Sequence, residues 1–142
     1  MKIHSNFDGG NIEVSITSDI ALLNIKKDNA SDFSQWFHFR ASNLSAREAY
    51  FCIANAGQTS YPKGWENFNV RVSEDNENWF CCPTTYKDGN LHFSYTSKTD
   101  VAWFAYFAPY SMDRHQRLLV AAQQGGASLR CLGSSIDNLP MD

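Results

Sequence analysis

Trp103-Phe104-Ala105-Tyr106-Phe107-Ala108-Pro109-Tyr110-Ser111 is the stretch on which the reading of this chain turns. It sets four aromatic rings within five residues, turns at Ala108-Pro109, and then offers a serine placed to open a helix. An apolar run of this density, too short to cross a bilayer, reads as a strand buried on both faces. Such a strand needs a neighbour on each side. The chain before it supplies strand patterns, and the chain after it supplies one helix and a tail.

Upstream, Leu91, Phe93 and Tyr95 alternate with His92, Ser94 and Thr96, the period of a half-buried strand. Lys87-Asp88-Gly89-Asn90 carries the Asp-Gly signature of a tight hairpin. The strand expected over 79–85 contains Pro83, which cannot donate to a ladder, so it lies at an edge or carries a bulge. Phe68, Val70 and Val72 alternate as well, and so do residues 50–54. In Gln35-Trp36-Phe37-His38-Phe39-Arg40, Phe37 and Phe39 share one face with Ala41, while His38 and Arg40 share the other. Nearer the start, Ile12, Val14 and Ile16 alternate with polar residues, and 20–25 is another apolar run, the two suiting a meander. The expectation is an all-β chain of about eight or nine strands at hairpin-like spacing, an antiparallel β-sandwich. Pro83 argues against a closed barrel, which has no edge to place it on.

Downstream, Ser111 is a good N-cap, and Asp113 puts a negative charge in the first turn, where the helix dipole favours it. Leu118, Leu119 and Ala122 share a face, and Gly125-Gly126 is a stop, which predicts one short C-terminal helix over 111–124. Residues 127–132 have the pattern of one further strand.

The totals bound the function. The 142 residues fit one domain able to bury roughly 68% of its unfolded surface. Hydrophobic content of 43% and aromatic content of 14% favour a ring-rich β-core over disorder or a helical bundle. A net charge of −3 with interspersed signs leaves no basic stripe, so no nucleic-acid partner is expected. No run reaches the length of a membrane span and the N-terminus lacks a signal pattern, so the expected setting is cytoplasmic, with no membrane. Cys52, Cys81, Cys82 and Cys131 include an adjacent pair and no C-x-x-C, which points to free thiols.

No catalytic constellation stands out. His4, His38, His92 and His115 lack the short local pairs of a zinc site, and His38 and His92 fall at outward strand positions, where surface histidine is expected. Ser111, Asp113 and His115 invite a hydrolase reading, but the nucleophile elbow G-x-S-x-G is absent and a helix cap explains Ser111. The connection over 55–65 is long, carries two large rings and a Pro-x-Gly turn, and such loops often carry function. Tyr61, Trp65 and Tyr110 have two readings: they finish the core, or they form a recognition surface for a partner or ligand.

Phe7-Asp8-Gly9-Gly10-Asn11, Gln35-Trp36-Phe37-His38-Phe39, Asn55-Ala56-Gly57-Gln58, Ser60-Tyr61-Pro62-Lys63-Gly64-Trp65 and Ala105-Tyr106-Phe107-Ala108-Pro109-Tyr110-Ser111 succeed one another in this order. Over 7–119 the chain resembles the N-terminal domain of the cytosolic carboxypeptidases, a branch of the zinc metallocarboxypeptidases. The resemblance implies a β-sandwich over 1–126, followed by an α/β catalytic domain of the same polypeptide, whose opening is similar to Leu132-Gly133-Ser134-Ser135-Ile136-Asp137. On that reading 127–142 is the start of a catalytic domain cut short. The family's zinc ligands, an H-x-x-E motif and a later His, and its distal Glu acid/base have no counterpart here, so no catalytic or metal role passes to this chain. Zinc and the peptide or protein substrate belong with the catalytic domain, which would remove C-terminal residues, glutamate among them. The role implied for this chain is a non-catalytic accessory domain that packs on the catalytic domain. The expected interface residues are Asn55, Gln58, Tyr61, Pro62, Trp65, Pro109, Tyr110 and Ser111. The alternative is a free-standing sandwich that binds a peptide or carbohydrate.

Overall fold

In the computed structural model, Trp103, Phe104 and Ala105 of the aromatic stretch lie in Val101–Ala105, the middle strand of a five-stranded sheet. The model describes residues 1–142 apart from Ser18, Ser45, Ala46, Asp137 and Asp142. In chain order the strands are β1 (Lys2–His4), β2 (Glu13–Thr17), β3 (Ile20–Asn24), β4 (His38–Ser42), β5 (Glu48–Ile53), β6 (Val70–Ser73), β7 (Phe80–Cys82), β8 (Thr84–Lys87), β9 (Asn90–Thr96) and β10 (Val101–Ala105). One sheet has the order β1-β4-β10-β6-β7 and the other β2-β3-β5-β9-β8. The fold is the expected sandwich, open at both edges of each sheet.

Two strands beyond the expected set account for the difference in number. β1 has no counterpart among the expected strands, and Pro83 divides the 79–85 run into β7 and β8. These two strands sit at the edges of opposite sheets, so the proline stands where the chain crosses from one layer to the other. Asp88 and Gly89 both take positive φ, 52° and 77°, in a two-residue turn between Lys87 and Asn90, which is the hairpin that Asp-Gly encodes.

The meander expected of the first two strands holds for that pair and goes no further. β2 and β3 form an antiparallel hairpin, but β3 pairs in parallel with β5. Between them the chain leaves to place β4 in the other sheet, and on its return β5 runs the same way as β3. The inward place expected for Ile16 lies outside what the structure describes.

The core is an aromatic stack between the layers. Phe39 and Phe104 from one sheet meet Phe51 and Phe93 from the other, with ring centroids 4.7–5.8 Å apart across the layers. All four are buried, and so are Leu23, Ile53, Val70, Val72 and Leu91 around them. Burying a ring of this size stabilises by about 1.5–3 kcal/mol, so this quartet supplies much of the drive for closing the two sheets.

His38 is also a correction. Alternation does put it on the outward face of β4, but it is only 2% exposed. Phe7, Trp36 and Trp79 stand round its ring at centroid distances of 4.8, 6.1 and 5.7 Å, so loop aromatics roof this face. Neither ring nitrogen has a hydrogen-bond partner. Burial pulls its pKa down to about 4, against an opposing pull from the Asp8 carboxylate. His92 is exposed, in keeping with its strand position.

Contacts divide the chain into two compact units, Met1–Pro109 and Tyr110–Asp142. The second holds α1 (Met112–Gln124) and a minimal hairpin of β11 (Gly133–Ser134) and β12 (Pro140–Met141). Ser111 Oγ accepts the Arg114 N–H at 3.2 Å, the predicted cap. Gly125 and Gly126 end the helix as read, with Gly126 at φ 90°. The strand expected over 127–132 does not form. These side chains are all exposed, and pairing begins only at Gly133, next to the Leu132 N–H bonded to the Met141 carbonyl at 2.7 Å. The four cysteines are free, Cys52 and Cys82 buried, Cys81 and Cys131 exposed.

Candidate functional site

The connection over 55–65 folds into two short 3-10 turns, Ala56–Gln58 and Pro62–Trp65. Side-chain amides fasten it to the sandwich at two points. Asn55 Oδ1 accepts the Ile25 N–H and Asn55 Nδ2 donates to the Ile25 carbonyl, both at 2.9 Å. Gln35 does the same for Tyr61: its Oε1 accepts the Tyr61 N–H at 2.9 Å and its Nε2 donates to the Tyr61 carbonyl at 3.3 Å. Each amide stands in for one residue of a partner strand, which satisfies backbone groups that the irregular loop would otherwise leave open.

Within this loop the two large rings part company. Trp65 is fully buried against Phe37, Phe68 and Tyr106, and its Nε1 donates to the Ala56 carbonyl and Thr59 Oγ1 at 2.9 and 2.8 Å. It completes the core. Tyr61 is 58% exposed although its backbone is clamped by Gln35. Its ring lies so close to Gly64 that a Cβ there would overlap it. The ring lies over Gly64 while facing solvent, and the clamped backbone beneath it lowers the entropy cost of using it as a contact.

Two other segments extend this exposed rim. The Ser60 N–H donates to the Ser34 carbonyl and the Ser34 N–H to Ser60 Oγ, each at 2.8 Å, so residues 33–36 run beside 60–61. That brings Phe33 and Trp36 to the rim, and Phe107 packs on Trp36 with ring centroids 4.8 Å apart and planes tilted by 55°. Phe33 and Phe107 are 62% and 55% exposed. Residue patterning does not single out these three as site residues. For Phe107 the signal is its place in the aromatic stretch, where the expected strand ran on to it. The strand ends at Ala105, and the ring beyond it turns outward.

The remaining expected residues scatter. Asn55 is the clamp just described, Gln58 is exposed, and Pro62 and Pro109 are half-buried. Tyr110 and Ser111 belong to the second unit, at the start of α1. There the Arg114 guanidinium lies 5.8 Å from the centre of the Tyr110 ring, and Tyr110 Oη is 3.5 Å from His115 Nδ1. Among the described residues no group of three or more His, Cys, Asp and Glu side chains is arranged to hold a metal ion, so the zinc implied by the resemblance finds no fitting site here.

Residues 3–107 match the family described as the cytosolic carboxypeptidase N-terminal domain. The chain belongs to that family. Over its whole length it is 42% identical to an uncharacterised protein of Zymomonas mobilis subsp. mobilis, of which it covers 38%. Among solved structures, it is similar to the metallo-carboxypeptidase of Burkholderia cenocepacia at 36% identity and a TM-score of 0.92, covering 99% of this chain and 38% of that one. The metallo-carboxypeptidase of Pseudomonas aeruginosa, solved in complex with (2-guanidinoethylmercapto)succinic acid, gives 38% identity and a TM-score of 0.92 over the same shares. The chain thus spans 38% of the length of these relatives. Among the described residues no helix is long and apolar enough to cross a membrane.

Proposed function

We propose that this chain is the non-catalytic accessory domain of a zinc-dependent carboxypeptidase of the cytoplasm, and that the Tyr61 rim packs on the catalytic domain and positions it. Family membership and the likeness to two metallo-carboxypeptidases support the enzyme class. The observation that carries the docking role is the solvent-facing ring of Tyr61 on a clamped backbone, with the exposed Phe33 on the adjoining segment and the exposed Phe107 against Trp36. Rigid aromatic anchors of this kind dominate interface energetics. Zinc and the reacting groups belong to the catalytic domain, which removes C-terminal residues, glutamate among them, from peptides or proteins. No step of that hydrolysis passes through a residue of this chain.

The test is the paired variant Tyr61→Ala with Phe107→Ala in a polypeptide that carries both domains. Turnover of a peptide substrate should fall while the melting temperature of the sandwich stays unchanged. Unchanged turnover would remove the docking role. The alternative, a free-standing module, makes a different prediction: the isolated chain would bind peptides or oligosaccharides saturably, with a change in Trp36 fluorescence that Tyr61→Ala abolishes.

A further inference from the structure

The two sheets treat their outer faces differently. On the first, Phe7, Trp36 and Trp79 roof His38. On the second, Ile20, Tyr50, Thr85 and His92 are exposed. Phe51 and Phe93 point into the core, so alternation turns Tyr50, His92 and Ser94 outward. The register then sets Ile20 beside Tyr50 and Thr85 beside His92. These five side chains and Pro83 border a hollow of about 290 Å³, close to the lower end of the usual range for ligand sites. Its described lining offers an aromatic ring, an imidazole and hydroxyls, and includes no Asp, Glu, Lys or Arg.

Tyr50 is tied down at its tip. Its hydroxyl donates to Glu48 Oε2 at 2.6 Å, and Ser94 Oγ donates to Glu48 Oε1 at 2.7 Å from the neighbouring strand. These bonds, the one from Tyr50 foremost, favour the ionised carboxylate and lower the Glu48 pKa. The ring stays 46% exposed while its hydroxyl is engaged, so less side-chain freedom is lost when something packs on it. Tyr50 also borders a second hollow of about 420 Å³, which holds the charged Asp19, Arg47 and Glu48.

We propose that this outer face binds a neutral oligosaccharide, with Tyr50 as the platform under one sugar ring and Thr85, His92 and Ser94 as partners of its hydroxyls. An anionic ligand would find no cation in the first hollow. A sugar presents an apolar C–H face with hydroxyls round its edge, which suits an exposed ring bordered by side chains that can both donate and accept. Because Tyr50 borders both hollows, a chain of sugars over it spans more of the surface than a single one. A peptide that adds by strand pairing has no place here, since β3, β5 and β9 each already have a strand on both sides. The site shares no residue with the Tyr61 rim and does not rest on the docking reading.

Nuclear magnetic resonance titration of the isotope-labelled 142-residue chain with maltohexaose, cellohexaose and xylohexaose tests this. At least one of the three should bind saturably and shift the amides of Tyr50, Thr85 and His92. Tyr50→Ala should weaken that binding about tenfold, the loss of one stacked ring, with the melting temperature unchanged. Thr85→Ala with His92→Ala, both on exposed side chains, should weaken it too, whereas Tyr61→Ala should leave the affinity unaltered. No saturable binding, shifts confined to other parts of the chain, or binding that survives Tyr50→Ala or the Thr85/His92 pair would overturn the proposal. A stronger response to hexagalacturonate, or loss of binding in Tyr61→Ala alone, would overturn it as well. The docking reading stands or falls separately, on the turnover of the Tyr61 and Phe107 variant.

Discussion

Phe104 and Leu118 are both large apolar side chains on regular elements, yet the first is wholly buried and the second is 55% exposed. The difference lies in what surrounds each element. β10 has a strand on both sides and a second sheet across from it, so every inward ring meets another. α1 has an apolar sector but no interior within its own unit. The sandwich closes its own core, and the helical unit carries half of one.

The largest effects should separate the two regions most sharply. Phe104→Ala in the 142-residue chain should cost about 3–5 kcal/mol by urea denaturation, because it removes the ring that touches both layers. Leu118→Ala should cost less than about 0.5 kcal/mol, the usual range for a surface change. Equal losses at the two sites would erase the distinction.

A somewhat smaller effect belongs to His38, and it sharpens the account of the sandwich alone. Its folded pKa lies near 4, below the 6.5 expected of the unfolded chain, so the unfolded state takes up the proton first as pH falls. Stability is thus intact above pH 6.5 and declines towards pH 4. The gap corresponds to about 3 kcal/mol at most. His38→Phe keeps the aromatic packing and should flatten that part of the pH profile relative to the parent. Carboxylate titrations are common to both proteins and cancel in the difference. A parallel pair of profiles would show that the ring does not stay neutral in the fold.

Much of this architecture was legible in the residues, for identifiable reasons. Period-two alternation found β6, β9 and the inward face of β4, and Asp88-Gly89 and Pro83 marked a turn and a crossing whose backbone demands few residues meet. Three features were not legible. The parallel β3–β5 pair depends on where β4 goes, which is a non-local fact. The burial of His38 depends on Phe7, Trp36 and Trp79 arriving from three separate segments. The candidate site was read only in part: Tyr61 and Trp65 share one loop and similar composition, and only the Gln35 clamp and the close approach to Gly64 decide which ring faces out. Phe33, Trp36 and Phe107 escaped because exposure at the end of a strand has no periodic signature.

The most direct measurement is the unfolding of a chain that ends at Pro109. If the sandwich is complete in itself, this shortened protein should melt cooperatively at the temperature of the 142-residue chain and with the same urea dependence. Loss of the cooperative transition, or a fall in stability of more than about 1 kcal/mol, would mean that residues 110–142 belong to the sandwich core after all.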